Sequence, residues 1–160
     1  MNGDVRWLSA PQQHAWRALV LGTTLLMDRL DDELRESHGI SLTEYEILVR
    51  LSESPKHQLR MAHLADSLAH SRSRVTHTIA RMEKSGWVRR KDSPDDGRGV
   101  YATLTDAGMT LLEQAAPTHV AGVRRHLVSL ASGDDFKTVG RVMDAVADRL
   151  ISGHPEMEIR

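Results

Sequence analysis

The stretch from Ser71 to Thr105, SRSRVTHTIARMEKSGWVRRKDSPDDGRGVYATLT, constrains the fold of this chain more than any other. Ser71 stands where a helix N-cap belongs, since its hydroxyl can accept from the orphan N–H groups of a first turn. Val75, Ile79 and Met82 then recur at intervals of four and three, which puts them on one buried stripe. The remaining face carries Arg72, Ser73, Arg74, Thr76, His77 and Arg81. Long cations and small hydroxyls of this kind match the phosphates and base edges of a duplex groove. Ser85-Gly86 ends the helix, and two short basic strands follow around an acidic, glycine-containing turn with a single arginine.

The flanking segments extend the pattern. Ser9-Ala10-Pro11-Gln12 reads as a capping box with proline in the first turn, and Gly39 as the stop of a long helix. Its apolar face runs through Trp16, Leu19, Val20, Met27, Leu30 and Leu34. Ser41-Leu42-Thr43-Glu44 is a second box, opening a helix that carries Tyr45, Leu48 and Leu51 up to Ser54-Pro55. Leu59 suits a short strand, and Met61, Leu64, Ala65 and Leu68 a third helix that turns at Ala69-His70 into the basic one. After the strands, Thr105 opens a helix through Met109, Leu112, Ala116, Val120, Val123 and Leu127, with a kink expected at Pro117. A last helix, capped by Ser132 or Asp134, carries Phe136, Val139, Met143, Val146 and Leu150. The expected fold is mainly α: a winged helix-turn-helix lobe with a small β-hairpin wing, flanked by N- and C-terminal dimerisation helices. Its divisions are 1–40 for the first dimerisation helix, 41–105 for the lobe, 106–152 for the closing helices and 153–160 for a tail.

The 160 residues sum to a charge of only −1, but the charge is segregated. Residues 56–101 hold ten Lys or Arg against five acids, whereas the remainder holds eleven against seventeen. One basic face on an otherwise acidic scaffold is the electrostatic footprint of a protein that meets nucleic acid with one side. Hydrophobic content of 40% suits an ordinary core, and no apolar run of about 18 residues is present to span a membrane. The N-terminus lacks the order of a signal peptide, so a cytoplasmic location is expected. The absence of cysteine excludes disulfides, thiolate-bound zinc and thiol redox chemistry. Nine histidines include His63, His70 and His77 at intervals of seven, and His119 and His126 likewise, but none has the i, i+3 or i+4 spacing of metal ligands on a helix. No metal or cofactor is expected. Phosphate-cradling loops, nucleophile elbows and a Ser-His pair with a third orienting group are all missing, so the chain does not read as an enzyme.

The strand-turn-strand Lys91-Asp92-Ser93-Pro94-Asp95-Asp96-Gly97-Arg98-Gly99, followed by Leu104-Thr105-Asp106-Ala107-Gly108, resembles the wing of the MarR family of bacterial transcriptional regulators. The resemblance extends from about Trp7 to Leu150. It implies a triangular homodimer whose termini build the dimer region, double-stranded DNA as partner, and a regulator that usually represses nearby genes. It also implies release by a small ligand bound between the dimer helices and the DNA lobe. Arg98 is placed at the wing tip, where a guanidinium can enter a narrow minor groove, with Asp96 orienting it. Gly97 departs from the family, which often carries another arginine there.

Ser73, Arg74 and His77 stand near the start of the basic helix and are expected to read bases; Ser71, Arg72 and Arg81 are expected to clamp phosphates. Thr76 belongs to the same face, Arg90 to the first wing strand, and Arg60 can reach a phosphate from the start of the third helix. For an aromatic or anionic effector, the expected residues are Trp16 and Tyr45 for stacking and Arg17 or Arg50 as counterion. An architectural or protein-interaction winged helix without effector is the alternative.

Overall fold

In the computed structural model, residues 5–92 and 99–151 are described. Helix α1 spans Ala10–His38 and α2 Leu42–Glu53; strand β1 is Gln58–Arg60; α3 is Met61–Ser67 and α4 Arg72–Lys84. Strands β2 (Val88–Asp92) and β3 (Val100–Leu104) follow, then α5 (Asp106–His126) and α6 (Gly133–Ile151). The order matches the one expected from the apolar periodicities. The hairpin is enlarged by one strand: β1 pairs antiparallel with β3, with Leu59 opposite Ala102, so the sheet order is β1-β3-β2. Leu59 lacks alternating neighbours long enough to announce this pairing, and the contact to β3 supplies it.

Local chemistry sets the helix limits. Both boxes close reciprocally: Ser9 with Gln12, and Ser41 with Glu44. Gly39 ends α1 at φ 69°, a left-handed conformation that costs glycine little, and its N–H donates to the Arg35 carbonyl. In the turn between α3 and α4, Ala69 takes φ 51° without being glycine. Such a conformation costs an L-residue about 1 kcal/mol. At α6, the Ser132 hydroxyl accepts from the Asp135 N–H at 3.1 Å and donates to its carboxylate at 2.6 Å. Helix α5 holds Pro117 in its interior and continues through it for nine more residues to His126.

The core lies under the recognition region. Val75, Ile79 and Met82 of α4 are fully buried, as their spacing requires, together with Ile47, Leu48, Leu51, Leu64, Val88 and Ala102. The C-terminal part of α1 (Leu34) and the start of α5 (Leu112, Ala115) belong to the same cluster. The lobe is therefore completed by residues from both flanking segments, and not by residues 41–105 alone. Helices α1 and α5 are packed close enough that a Cβ on Gly122 would lie 2.5 Å from the Glu33 carboxylate. Glu33 in turn accepts from Arg29 (3.1 Å), His126 (2.9 Å) and Arg125 (3.4 Å), which ties the two helices together. The His126 bond is the largest influence on the Glu33 carboxyl and holds its pKa below the ordinary value.

Among the described residues, nothing covers the outer parts of α1 and α6. Trp16, Val20, Leu21 and Leu25 of α1 and Val139, Val146 and Leu150 of α6 are all exposed.

Candidate nucleic-acid interface

The buried stripe of α4 turns its other face outward. Arg72, Ser73, Arg74, Thr76, His77 and Arg81 are all exposed, and Ser71 caps the helix by accepting from the Arg74 N–H at 3.3 Å. Ser73, His77 and Arg72 make no side-chain hydrogen bond among the described residues, which leaves their donors for an outside partner. The Thr76 hydroxyl donates to the Arg72 carbonyl at 2.8 Å, and the residue as a whole stays exposed. This is the chemistry of groove reading: an apolar methyl, an imidazole, a hydroxyl and guanidinium groups on one convex face.

Four arginines expected at this surface are bonded to other parts of the protein. Arg81 Nε donates to Glu44 Oε1 at 2.8 Å, joining α4 to α2. Glu44 is 4% exposed, and its other oxygen accepts from the Ser41 N–H (2.8 Å) and hydroxyl (2.9 Å). Burial alone would raise its pKa, but the bonds from Ser41 and Arg81 outweigh it and hold the carboxyl below the ordinary value. Arg90 is held by Glu83, which accepts from its backbone N–H and its Nε, each at 2.9 Å. Arg60 Nε donates to the Tyr101 hydroxyl at 3.1 Å, and its guanidinium lies 5.5 Å from that ring's centroid. Arg74 reaches back to the Thr43 hydroxyl at 3.4 Å. The sequence reading missed Glu44, Glu83 and Tyr101 as partners. Glu44 was visible as a cap but not as an anchor, because its second role depends on a residue 37 positions away.

The wing begins where α4 ends. Gly86 turns the chain at φ 79°, and Thr105 ties the far end of the hairpin to that turn. Its N–H donates to the Trp87 carbonyl at 3.1 Å, its hydroxyl lies 2.7 Å from the Gly86 carbonyl and 3.0 Å from that of Trp87, and the hydroxyl accepts from the Gly108 N–H at 3.0 Å. Gly108 lies against the same carbonyl: a Cβ there would come within 2.2 Å of the Trp87 oxygen. The Leu-Thr-x-x-Gly pattern thus marks a close helix-to-turn contact. Asp96 and Arg98, expected at the wing tip, lie outside the described residues, as do residues 152–160.

The expected effector residues do not come together in one chain. Tyr45 is in the core, its ring 4.5 Å from that of His119. Trp16 and Arg17 lie on the exposed half of α1, and Trp16 precedes Leu30 by a helix rise of about 21 Å. Arg50 is exposed near the end of α2. A cavity of about 470 Å³ opens instead between α1, α2 and α4. Asp28, Asp31, Arg35, Thr43, Arg74 and Arg81 are among its lining residues, so its wall is polar and rich in guanidinium groups. A second cavity of about 290 Å³ lies between Arg60, Arg72, Thr76 and the base of the wing at Gly99 and Val100. Among the described residues no group of His, Asp or Glu is arranged to hold a metal ion, and no helix is long and apolar enough to cross a membrane.

A basic helix exposed above a buried stripe, preceded by a short helix and followed by a strand pair, defines a winged helix-turn-helix protein. Comparison with known proteins narrows the class. Residues 38–99 match the model of the MarR family. The chain is 43% identical to the MarR family transcriptional regulator Sco3205 of Streptomyces coelicolor, solved in complex with DNA, with a TM-score of 0.89 and 93% of each chain covered. It is 38% identical to AbsC, another MarR family regulator of that organism, at a TM-score of 0.87 over 92% of this chain and 99% of that one. Over 139 residues, 84% of this chain and 83% of the relative, it is 31% identical to the HTH-type transcriptional regulator PecS of Dickeya dadantii. The chain belongs to the MarR family, as a DNA-binding transcriptional regulator and not an enzyme.

Proposed function

We propose that this regulator is a repressor that binds a pseudo-palindromic operator as a homodimer and is released by a small organic anion. The observation that carries the DNA half is the outward face of α4, where Arg72, Ser73, Arg74, Thr76 and His77 stand exposed together. Two such helices in one dimer would enter successive major grooves about one turn apart, with the wings in the flanking minor grooves. The dimer half rests on the uncovered apolar stripes of α1 and α6, which a second copy would bury. The ligand half rests on the 470 Å³ cavity, where Arg35 is paired with Asp31 and Arg81 with Glu44, while the guanidinium of Arg74 meets only the Thr43 hydroxyl and can pair with a carboxylate. That cavity borders the recognition helix through Arg74 and Arg81, so an occupant bears directly on DNA binding.

The test is fluorescence anisotropy on duplexes from the intergenic region upstream of the gene, against scrambled duplex, at two salt concentrations. Tight binding that depends on an inverted repeat and survives moderate salt is the expected result. Equal, steeply salt-dependent binding to both duplexes would instead support an architectural protein. Addition of aromatic carboxylates to the preformed complex tests release, and transcription from the bound promoter with and without protein tests repression.

A further inference from the structure

Glu83 is the one acidic side chain in the last turn of the recognition helix, on a face otherwise suited to phosphates. An acid there opposes DNA binding by simple electrostatics. Its position is explained by what it holds. The carboxylate accepts from the backbone N–H of Arg90 at 2.9 Å, from Nε at 2.9 Å and from Nη2 at 2.7 Å. One residue of the wing thus presents three N–H groups to one residue of the helix. Strand β2 is the edge of the sheet, because β3 lies between it and β1. The Arg90 N–H that meets Glu83 is therefore a donor that the ladder leaves free, and a bonded carboxylate also blunts an open strand edge. The bonds from the Arg90 backbone and side chain hold the Glu83 carboxyl below its ordinary pKa, so it is ionised at neutral pH. The connection crosses only the Ser85-Gly86-Trp87 turn, where Gly86 is left-handed and offers the least resistance to a change of angle.

We propose that Glu83 and Arg90 form a clamp that sets the angle between recognition helix and wing, and that Arg90 serves DNA binding through this clamp and not by touching a phosphate. The proposal rests on the DNA-binding reading above. A helix and a wing that must reach adjacent grooves at once lose contacts if either swings, so the pair acts as a positioning device on affinity.

The experiment measures binding of the full chain to its operator duplex by anisotropy over a salt series, for wild type, Glu83→Gln, Arg90→Met and the double variant. Thermal melting is followed in parallel. Wild-type binding in the same series establishes the parent reading independently. The expected result is that both single variants weaken binding about fivefold or more at nearly unchanged melting temperature, and that the double variant is no worse than either. The salt slope stays at the wild-type value. Loss of affinity on removing an acid from the DNA side is opposite in sign to the plain electrostatic effect, which makes Glu83→Gln diagnostic. The proposal is overturned if Arg90→Met lowers the salt slope by about 0.9, the signature of one phosphate contact. It is equally overturned if Glu83→Gln binds as well as or better than wild type, if the two losses add, or if they only track a fall in stability.

Discussion

Gly108 shows how much a single position can carry. Its N–H caps on Thr105, and its missing side chain lets α5 approach the Trp87 carbonyl at the root of the wing. Because a Cβ would meet backbone oxygen at 2.2 Å, and Leu104 Cδ1 at 2.7 Å, no rotamer change relieves the clash. Gly108→Ala is expected to destabilise the fold by about 2 kcal/mol, within the usual cost of overpacking. Urea unfolding at constant m-value is the check; an unchanged midpoint would show that the turn can yield. Ser71, Ser41 and Glu44 are residues whose capping role could be read from neighbours three or four positions away. The pairing of Glu44 with Arg81 could not, because an exposed arginine on a basic helix looks the same in sequence whether it faces a phosphate or a carboxylate.

At the scale of elements, α5 is joined to α2 through the Tyr45–His119 ring contact and to α1 through Glu33. Nδ1 of His119 is buried and has no hydrogen-bond partner among the described residues, and burial lowers the pKa of this imidazole. His70, beside the recognition helix, is lowered in the same way by burial and by the nearby Arg74. The unfolded chain binds these protons near the ordinary value of 6.5, whereas the folded one does so only at lower pH. Their contribution to stability is therefore whole above about pH 6.5 and declines as pH falls below it. Melting temperatures at pH 7.5 and 5.5 should differ less for His119→Phe, which keeps the ring contact, than for wild type. An identical pH dependence in both proteins would remove His119 as a source of it. Element limits were legible because caps and glycine stops are local. The pairing of β1 with β3 was not, since a three-residue strand takes its identity from its partner.

For the whole molecule, the decisive quantity is the apolar surface left on α1 and α6. Trp16 is 57% exposed and Leu150 67%, and Val20, Val139 and Val146 are between 44% and 46%. Surfaces of this extent rarely stay in water on a lone soluble chain. Light scattering at micromolar concentration is expected to give twice the mass of one chain, with a melting temperature that rises with protein concentration. A monomer with a concentration-independent transition would refute it. Paired with that outcome, a charged substitution at Val146 would be expected to favour the monomer, because it places an ion in the surface that the second copy covers.

The order of helices, the buried stripe of α4, the capped ends and the basic face are legible in the residues themselves, because each follows from spacing within a few positions. The wing pattern, with the glycine that its close packing demands, also carries the family. Which cations are committed depends on packing between distant segments. Arg81, Arg90 and Arg60 are bound by Glu44, Glu83 and Tyr101, from elements that folding brings beside them. Folding also places Tyr45 in the core against His119 and opens the arginine-lined cavity elsewhere, between α1, α2 and α4. The physical reason is common to all of these: periodicity says which side of a helix faces inward, but a charge or a ring acquires its role from whatever the fold packs against it.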